Sequence, residues 1–482
     1  MSVINAPAAV GAVHTVATRK AMLRLLPILC LAYFMSYVDR TNIAMAKTHL
    51  QADVGISVAA FGLGAGLFFV TYAFLEVPSN LIMYRVGPRR WIFRIAVSWG
   101  TVTALMMFVN NDITFYLLRI LLGAAEAGLF PAMMFMITQW FAQKDRATAI
   151  GYTYLAATLG IFLGGPMGGA LMGMHDTLGL HGWQWMFLVE GVLTVLVGFV
   201  VLVMLPDKPQ TASWLSQEEA DALTDAATGG ARAHERHSLK GNVKVAFGRP
   251  FILLVGLIYF LNQVTNNGVT FNVPSIVEEM DVSSSFMIGL LSGVTGIGGT
   301  IGVLLIPWIA KRYTNEPAII GFLALGCAGA AALFLMTSSP VLRIILIGIL
   351  GFLFLGTLPL FWSVAMPRMT GLMAAAGLAF INTVGLTGGF VGPYVFGLVE
   401  SASGTPVTGF WIIIGVSVVG GLLAVALGRA LKNEDRTMAA EAAKAAATRT
   451  TFRRSDVNDS IVADMTGGPA SKNTPADPKE QK

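Results

Sequence analysis

Asp39 and Arg40 sit side by side in one long apolar stretch of the chain, and Arg119 and Glu126 lie seven residues apart in another. A charged side chain at the centre of a membrane costs about 2.5 to 3.5 kcal/mol on insertion scales, so such residues mark a functional site by default. Arginine stays charged at any physiological pH and donates paired hydrogen bonds to a carboxylate. A carboxyl group holds its proton more firmly when desolvated and less firmly beside a cation, so Asp39 and Glu126 can exchange protons as access and partners change. Together the four residues suit the capture of an organic anion coupled to protons.

Helix geometry sharpens this expectation. With a rise of about 1.5 Å per residue across roughly 30 Å of hydrocarbon, Arg40 lies about 10 Å from the far boundary and Arg119 about 9 Å from that same boundary. Two guanidiniums at one depth predict a carboxylate clamp. Glu126 falls two turns deeper than Arg119 on almost the same helix face, and Tyr72 reaches a similar depth. The competing reading is a permanent buried bridge of Asp39 or Glu126 with Arg40 or Arg119, first Arg119 with Glu126 and second Asp39 with Arg40. The second pairing is disfavoured because helical neighbours point to different faces. Glu76, just before Pro78, reads as a structural or gating link to the basic loop of Arg85, Arg89 and Arg90, while Glu190 and Arg343 read as structural or interfacial.

The elements that must position these residues are membrane helices. Hydrophobic residues fill 55% of 482 positions and charged residues 12%, with a mean hydropathy of +0.68, which excludes an ordinary soluble domain. Twelve stretches are long enough to span: 25–46, 57–80, 91–109, 113–138, 147–173, 183–205, 250–273, 283–310, 317–337, 342–366, 372–399 and 408–429. No ten-residue strand alternation suggests a barrel, so the expected fold is all-α and polytopic, with twelve transmembrane helices. No small-residue cleavage site follows the first stretch, which is read as a retained helix. Cys30 and Cys327 lie within apolar spans and give neither a disulfide framework nor a metal pattern, and none of the six histidines forms a metal pair on a helix face.

Basic residues concentrate in alternate loops: Arg19, Lys20 and Arg24; Arg85, Arg89, Arg90 and Arg94; Lys144 and Arg146; Lys311 and Arg312. The positive-inside rule then puts both termini and the 206–249 loop in the cytoplasm, at the plasma membrane or, in a bacterium, the inner membrane. Topology accounts for the net charge of +5 without a nucleic-acid partner. The expected layout is a segment 1–24, a six-helix bundle 25–205, a linker 206–249, a second bundle 250–430 and a largely disordered cytoplasmic tail 431–482. Within the linker, Ser216 and Glu219 form a capping-box pattern able to start a short amphipathic helix along the bilayer surface.

The two bundles are read as a duplication. Gly128 and Pro131 recur as Gly356 and Pro359, offset by 228; Gly165-Pro166 recurs as Gly392-Pro393, offset by 227; Pro78 and Pro307 differ by 229, and Tyr33-Phe34 and Tyr259-Phe260 by 226. Such a parallel repeat is expected where a solute binds between halves. In this register Asp39 falls opposite the neutral polar cluster Thr265, Asn266 and Asn267, so one half keeps charges and the other hydrogen-bonding groups. Glycines spaced by four in the fifth, eighth and eleventh spans allow close helix approach, either as static packing or, as favoured here, to let the halves slide during alternating access.

Tyr37-Val-Asp39-Arg40-Thr-Asn42-Ile-Ala, Glu76-Val-Pro78-Ser79-Asn80, Arg119 through Glu126-Ala-Gly128 and Gly182-Trp-Gln184-Trp together resemble the anion:cation symporter family of the major facilitator superfamily, over about residues 20–430. The resemblance implies two six-helix bundles and proton-driven uptake of carboxylates such as tartrate, phthalate, sugar acids, hydroxyphenylacetate, allantoate or nicotinate. It implies proton coupling at Asp39 and Glu126, and an anion site lined or supported by Arg40, Tyr72 and Arg119. A tenth-helix asparagine of the family is matched loosely by Asn382, in the eleventh span here. The superfamily loop motif normally has Asp before Arg, where this chain has Tyr84 before Arg85, followed by Gly87, Arg89 and Arg90.

The expected function is therefore a proton-coupled carboxylate carrier, working as a monomer and needing no cofactor beyond protons. Arg40, Tyr72, Arg119, Asn266 and Asn382 are its candidate solute contacts. The stretch Gly164-Gly165-Pro166-Met-Gly168-Gly169 partly resembles an antiporter motif and keeps a proton-coupled metabolite or drug exporter as the alternative. An enzyme is disfavoured for want of a metal constellation, an extramembrane acidic pair or a large catalytic loop. A non-transporting membrane sensor is disfavoured because the tail offers no folded signalling domain.

Overall fold

The computed structural model describes residues 6–228, 249–313, 315–369 and 371–465, leaving aside the side chains of 6–11, 371–376, 379 and 438–465. Every regular element among them is helical. Eleven helices are long and apolar enough to cross a membrane among the described residues. The remaining expected span, the eleventh in chain order, is the 33-residue helix Gly371–Ser403.

Short polar side chains start many of these helices. Ser57 accepts from the Ala60 amide to open the second span, Val58–Val86. Asn111 and Thr114 form a reciprocal capping box at Asp112–Glu126, the first part of the fourth span. Ser339 caps the tenth, Pro340–Ala365. Each cap satisfies amides that lack a partner within the helix.

Gly128 breaks the fourth span before its second part, Leu129–Trp140, because its φ of +95° is left-handed. A Cβ there would overlap Ser79, whose hydroxyl donates to the Ala127 carbonyl at 2.6 Å. Its repeat partner Gly356 stays inside an unbroken helix, so the duplication fixes the element but not its kink.

Packing follows the repeat. The first span (Leu26–Met45) packs on the fifth (Gln143–Met172) as the seventh (Pro250–Glu278) packs on the eleventh, and the second packs on the fourth as the eighth (Ser285–Ser292 with Val294–Tyr313) packs on the tenth. Two pseudo-symmetric bundles result. They meet where the second span lies on the eleventh, the fifth on the eighth and the first on the seventh.

The glycine stripes divide their work between these contacts. Gly160, Gly164 and Gly168 face the first span in their own half, whereas Gly165 and Gly169 carry the crossing to Gly289 and Ser285 of the eighth. The eleventh span repeats this arrangement: Gly385, Gly388 and Gly392 face the seventh, and Gly389 faces Phe69 of the second. The four-residue stripes of the fifth and eleventh spans thus serve packing within a half, whereas in the eighth Gly289, Gly293 and Gly296 face the fifth across the interface and Gly298 and Gly302 face the tenth in their own half.

Two expectations outside the bundles need correction. The capping box forms, with the Ser216 amide donating to Glu219 at 2.9 Å and the Glu219 amide to Ser216 Oγ at 3.2 Å. Its helix Gln217–Thr228, however, packs on the N-terminal helix Ala6–Arg24 and on the second part of the fourth span. Lys20 Nζ reaches Glu219 at 2.6 and 2.8 Å, and together with the Ser216 amide it holds the Glu219 carboxyl below its ordinary range. Residues 229–248 of the linker lie outside the described residues. The last helix, Phe410–Met465, also runs well past residue 435, where composition predicted disorder. Alanine and long straight side chains favour helix without any core to bury; residues 466–482 lie outside the described residues.

A bulkier residue at the glycine crossing separates the halves. Gly289→Leu should overlap the Gly165 carbonyl and cost several kcal/mol, in the range of core overpacking of about 1 to 3 or more. Thermal unfolding in detergent should show a lower midpoint than the same change at Gly329, where a Cβ meets open space; equal midpoints would remove the crossing from the interface.

Candidate functional site

Between the halves lies a cavity of about 920 Å³, its opening to solvent included. Its walls are built from repeat-related positions. Tyr33, Tyr37, Arg40 and Thr41 of the first span line it, and so do Tyr259, Gln263, Asn266 and Asn267 of the seventh, each 226 residues later. Phe130 and Leu358 form a further pair, as do Tyr154 and Asn382, both offset by 228. Asp39 and Thr265, the remaining members of the predicted facing clusters, are buried and do not line it. Thr265 instead lines a smaller pocket of about 360 Å³ within the second half.

Arg40 is the cation of the cavity wall. Its Nη2 donates to Glu126 Oε1 at 2.7 Å, with its own side chain 21% exposed and that of Glu126 only 1%. The guanidinium is caged by aromatic rings: Tyr37 at 5.0 Å, Phe68 at 5.4 Å, Tyr72 at 5.9 Å and Phe69 at 6.0 Å to the ring centroids. Such contacts are each worth about 0.5 to 2 kcal/mol when desolvated and leave the guanidinium edge open to an anion. Arg40 Nε and Glu126 Oε2 are buried without a hydrogen bond, so the pair keeps unused capacity on both sides.

Arg119 stands elsewhere. Buried behind Phe68, with its charge 4.9 Å from that ring, it donates to the Gly64 and Ala65 carbonyls at 3.3 and 3.2 Å and does not line the cavity. Depth along a helix does not fix azimuth, and the expected two-arginine clamp is not formed in this conformation: Arg40 lines the cavity and Arg119 does not. Of the possible bridges, Glu126 with Arg40 is the one formed; Arg119 with Glu126 and Asp39 with Arg40 are not, and Asp39 accepts from Thr103 Oγ1 at 2.7 Å.

Tyr72 lines the cavity as anticipated, and Asn266 does so while bonding to Gln263 at 3.3 Å. Glu76 also lines it, and both of its oxygens accept from Asn382 Nδ2, at 3.0 and 2.8 Å. That bond spans the two halves and replaces the predicted link to the basic loop. Of that loop, Arg85 and Arg90 are exposed, while Arg89 binds the Leu202 carbonyl at 2.5 Å and, through its amide, Asp207 at 3.0 Å. Among the described residues no His, Cys, Asp and Glu cluster is able to hold a metal.

Sequence reasoning missed one buried cluster altogether. Lys47, 2% exposed, donates to Asn272 Oδ1 at 2.7 Å and to Glu400 Oε2 at 2.5 Å. These bonds tie the end of the first span to the seventh and eleventh, and Thr48 adds a bond to Glu278 at 3.0 Å. Lys47 directly follows the apolar stretch 25–46, a position where a lysine looks like part of a loop. The available signal was a lone acid, Glu400, closing a glycine-rich span opposite it.

Removing one partner of a buried pair leaves an uncompensated charge and costs about 3 to 5 kcal/mol. Lys47→Met should therefore favour conformers in which this end of the cavity is open. A cysteine at Thr270 in a background lacking Cys30 and Cys327 should then label faster with a polar thiol reagent. An unchanged rate would mean that Lys47 and Glu400 do not close the cavity.

The chain compares with known proteins along most of its length. Residues 29–393 match the family described as Major Facilitator Superfamily. It is 37% identical over 423 residues to a protein of Agrobacterium vitis described as "Putative tartrate transporter", covering 85% of this chain and 94% of that one. It is 36% identical over 409 residues to a quinolone resistance transporter of Acinetobacter baumannii, covering 84% and 93%. Its fold matches the crystal structure of a bacterial homolog of the human lysosomal transporter Spinster, with TM-score 0.65, 19% identity, and coverage of 86% and 96%. With its membrane-crossing helices and twofold bundle, the chain belongs to the Major Facilitator Superfamily of transporters, in keeping with its resemblance to the anion:cation symporters.

Proposed function

We propose that this transporter moves a small organic carboxylate together with protons by alternating access. The observation that carries this reading is the Arg40–Glu126 pair, in which the guanidinium borders the cavity while the carboxyl stays buried behind it. A solute carboxylate and the Glu126 carboxylate compete for one guanidinium. Protonating Glu126 removes the competitor, so a bound proton favours a bound anion, and the linkage is reciprocal. Asp39, behind the cavity on Thr103, is the second acid of this scheme.

The aromatic wall of Tyr33, Tyr37, Tyr72, Tyr154, Tyr259 and Trp362 suits a flat or partly apolar body, and Gln263, Asn266 and Asn267 supply hydrogen bonds for its hydroxyls or carbonyls. Arg119 supports this wall through Phe68 rather than touching solute. Glu76 with Asn382, and Lys47 with Glu400 and Asn272, act as gates because each set joins the two halves. The arginine-rich loops face the cytoplasm, and uptake runs inward across a bacterial inner membrane in a monomeric carrier. A second reading, proton-coupled export, is favoured by the name of the Acinetobacter baumannii relative; the same Arg40–Glu126 competition then runs with exchange.

Uptake by proteoliposomes under an imposed pH gradient tests both readings. Accumulation of a carboxylate toward the alkaline lumen supports symport; expulsion toward the acidic side supports export. Arg40→Ala should lose a charge-assisted contact worth about 1.5 to 3 kcal/mol, weakening carboxylate binding roughly ten- to hundredfold. Wild-type binding should tighten as pH falls, because the proton neutralises Glu126. In Glu126→Gln that dependence should flatten, gradient-driven accumulation should vanish and solute exchange should persist. Full accumulation by Glu126→Gln would rule out the competition.

A further inference from the structure

Glu190 of the sixth span (Gly182–Met204) takes no part in the scheme above, and its surroundings are unusual. Its residue is 1% exposed, and neither carboxyl oxygen has a hydrogen-bond partner. None of the ion pairs among the described residues includes it. The one charge that acts on it is Asp39, of the same sign, and the one side chain within hydrogen-bonding reach is Asn42, one turn beyond Asp39 on the first span. The third and fifth spans, also packed against the sixth, contribute no charged group that acts on it.

Asn42 is as unusual as its neighbour. It is wholly buried, and both its amide nitrogen and its amide oxygen lack a completed hydrogen bond. Two oxygens of one side chain and the nitrogen and oxygen of the other thus remain unsatisfied side by side. An ionised carboxylate offers acceptors only, so it leaves Asn42 Oδ1 unpaired however the side chains turn. A carboxylic acid resolves all four atoms. Its O–H donates to Asn42 Oδ1 and its carbonyl accepts from Asn42 Nδ2, closing a planar acid–amide ring.

We infer that Glu190 is a further proton-binding site of the transporter, holding its proton in a ring with Asn42. Glu190 does not line the cavity, so this site lies apart from the solute. Its part in transport rests on the proton coupling proposed above.

Infrared difference spectroscopy of the full-length protein in lipid, without solute, reads the site directly. On a jump to alkaline pH the wild type should lose a protonated-carboxyl stretch that Glu190→Gln lacks and that Glu126→Gln and Asp39→Asn retain. A Glu190→Gln difference spectrum identical to wild type overturns the inference. Should Glu190→Gln fail to fold, Asn42→Ala takes its place. That change should displace the same band by removing the amide partner, and an undisplaced band overturns the ring. Because no solute is present, failure of carboxylate transport and failure of this site are separate results.

Discussion

The bond between Arg40 and Glu126 is the constraint around which the rest of the structure is arranged. A guanidinium held inside hydrocarbon cannot shed its proton, so it must keep an anion, carbonyl oxygens or aromatic faces beside it. Glu126 supplies that anion from the fourth span, and four aromatic rings close over the remaining face of the cation. What stays open is the cavity side. Under the proposed coupling, a solute carboxylate reaches Arg40 only where Glu126 relaxes its hold, which ties binding to the protonation of a residue the solute does not touch.

The buried polar contacts fall into two kinds with different mechanical consequences. Arg40 with Glu126 and Asp39 with Thr103 join spans of the first half alone, so they survive any rocking of one bundle against the other. Lys47 with Asn272 and Glu400, and Glu76 with Asn382, join opposite halves and must break when the halves part. Charge that must be kept lies within a bundle; charge that reports the conformer lies between bundles. The glycine crossings at Gly165 with Gly289 and Gly389 with Phe69 make such parting feasible, since backbone meets backbone or a single ring there.

Much of this was legible from the sequence because membrane helices follow simple rules. Length and apolarity located the spans, and the repeat register set Asp39 against Thr265, Asn266 and Asn267; the cavity wall takes Asn266 and Asn267 from that cluster, and Arg40 in place of Asp39. Depth along a helix is estimated by counting residues, and both Arg40 and Arg119 come to lie beside the ring of Phe68. Azimuth does not follow from counting. The side on which Arg119 emerges depends on how the second and fourth spans pack, and it emerges onto the carbonyls of Gly64 and Ala65. Partner choice was likewise hidden. Glu126 meets Arg40 rather than Arg119, and Glu76 meets Asn382 rather than an arginine, because spans distant in sequence converge in a way no local pattern encodes. Lys47 escaped notice for the opposite reason: position near a loop suggested solvent, while Glu400, 353 residues on, pulls it inside.

Charge balance gives the proposed coupling a basis independent of any particular proton route. Asp39, Arg40, Arg119 and Glu126 act on one another electrostatically and sum to zero when all are ionised. Glu190, as a neutral acid, leaves that sum unchanged. Adding an anionic solute makes the region negative inside a low-dielectric bundle, where an uncompensated charge costs far more than in water. One added proton restores the balance for each negative charge brought in. Which carboxyl receives it is then a matter of geometry: Glu126 is nearest the solute through Arg40, and Asp39 is reached through Thr103 and the first span. Coupling on this view arises because these four groups already balance one another, so a carboxylate that enters alone meets the dielectric penalty and one that enters with its proton does not.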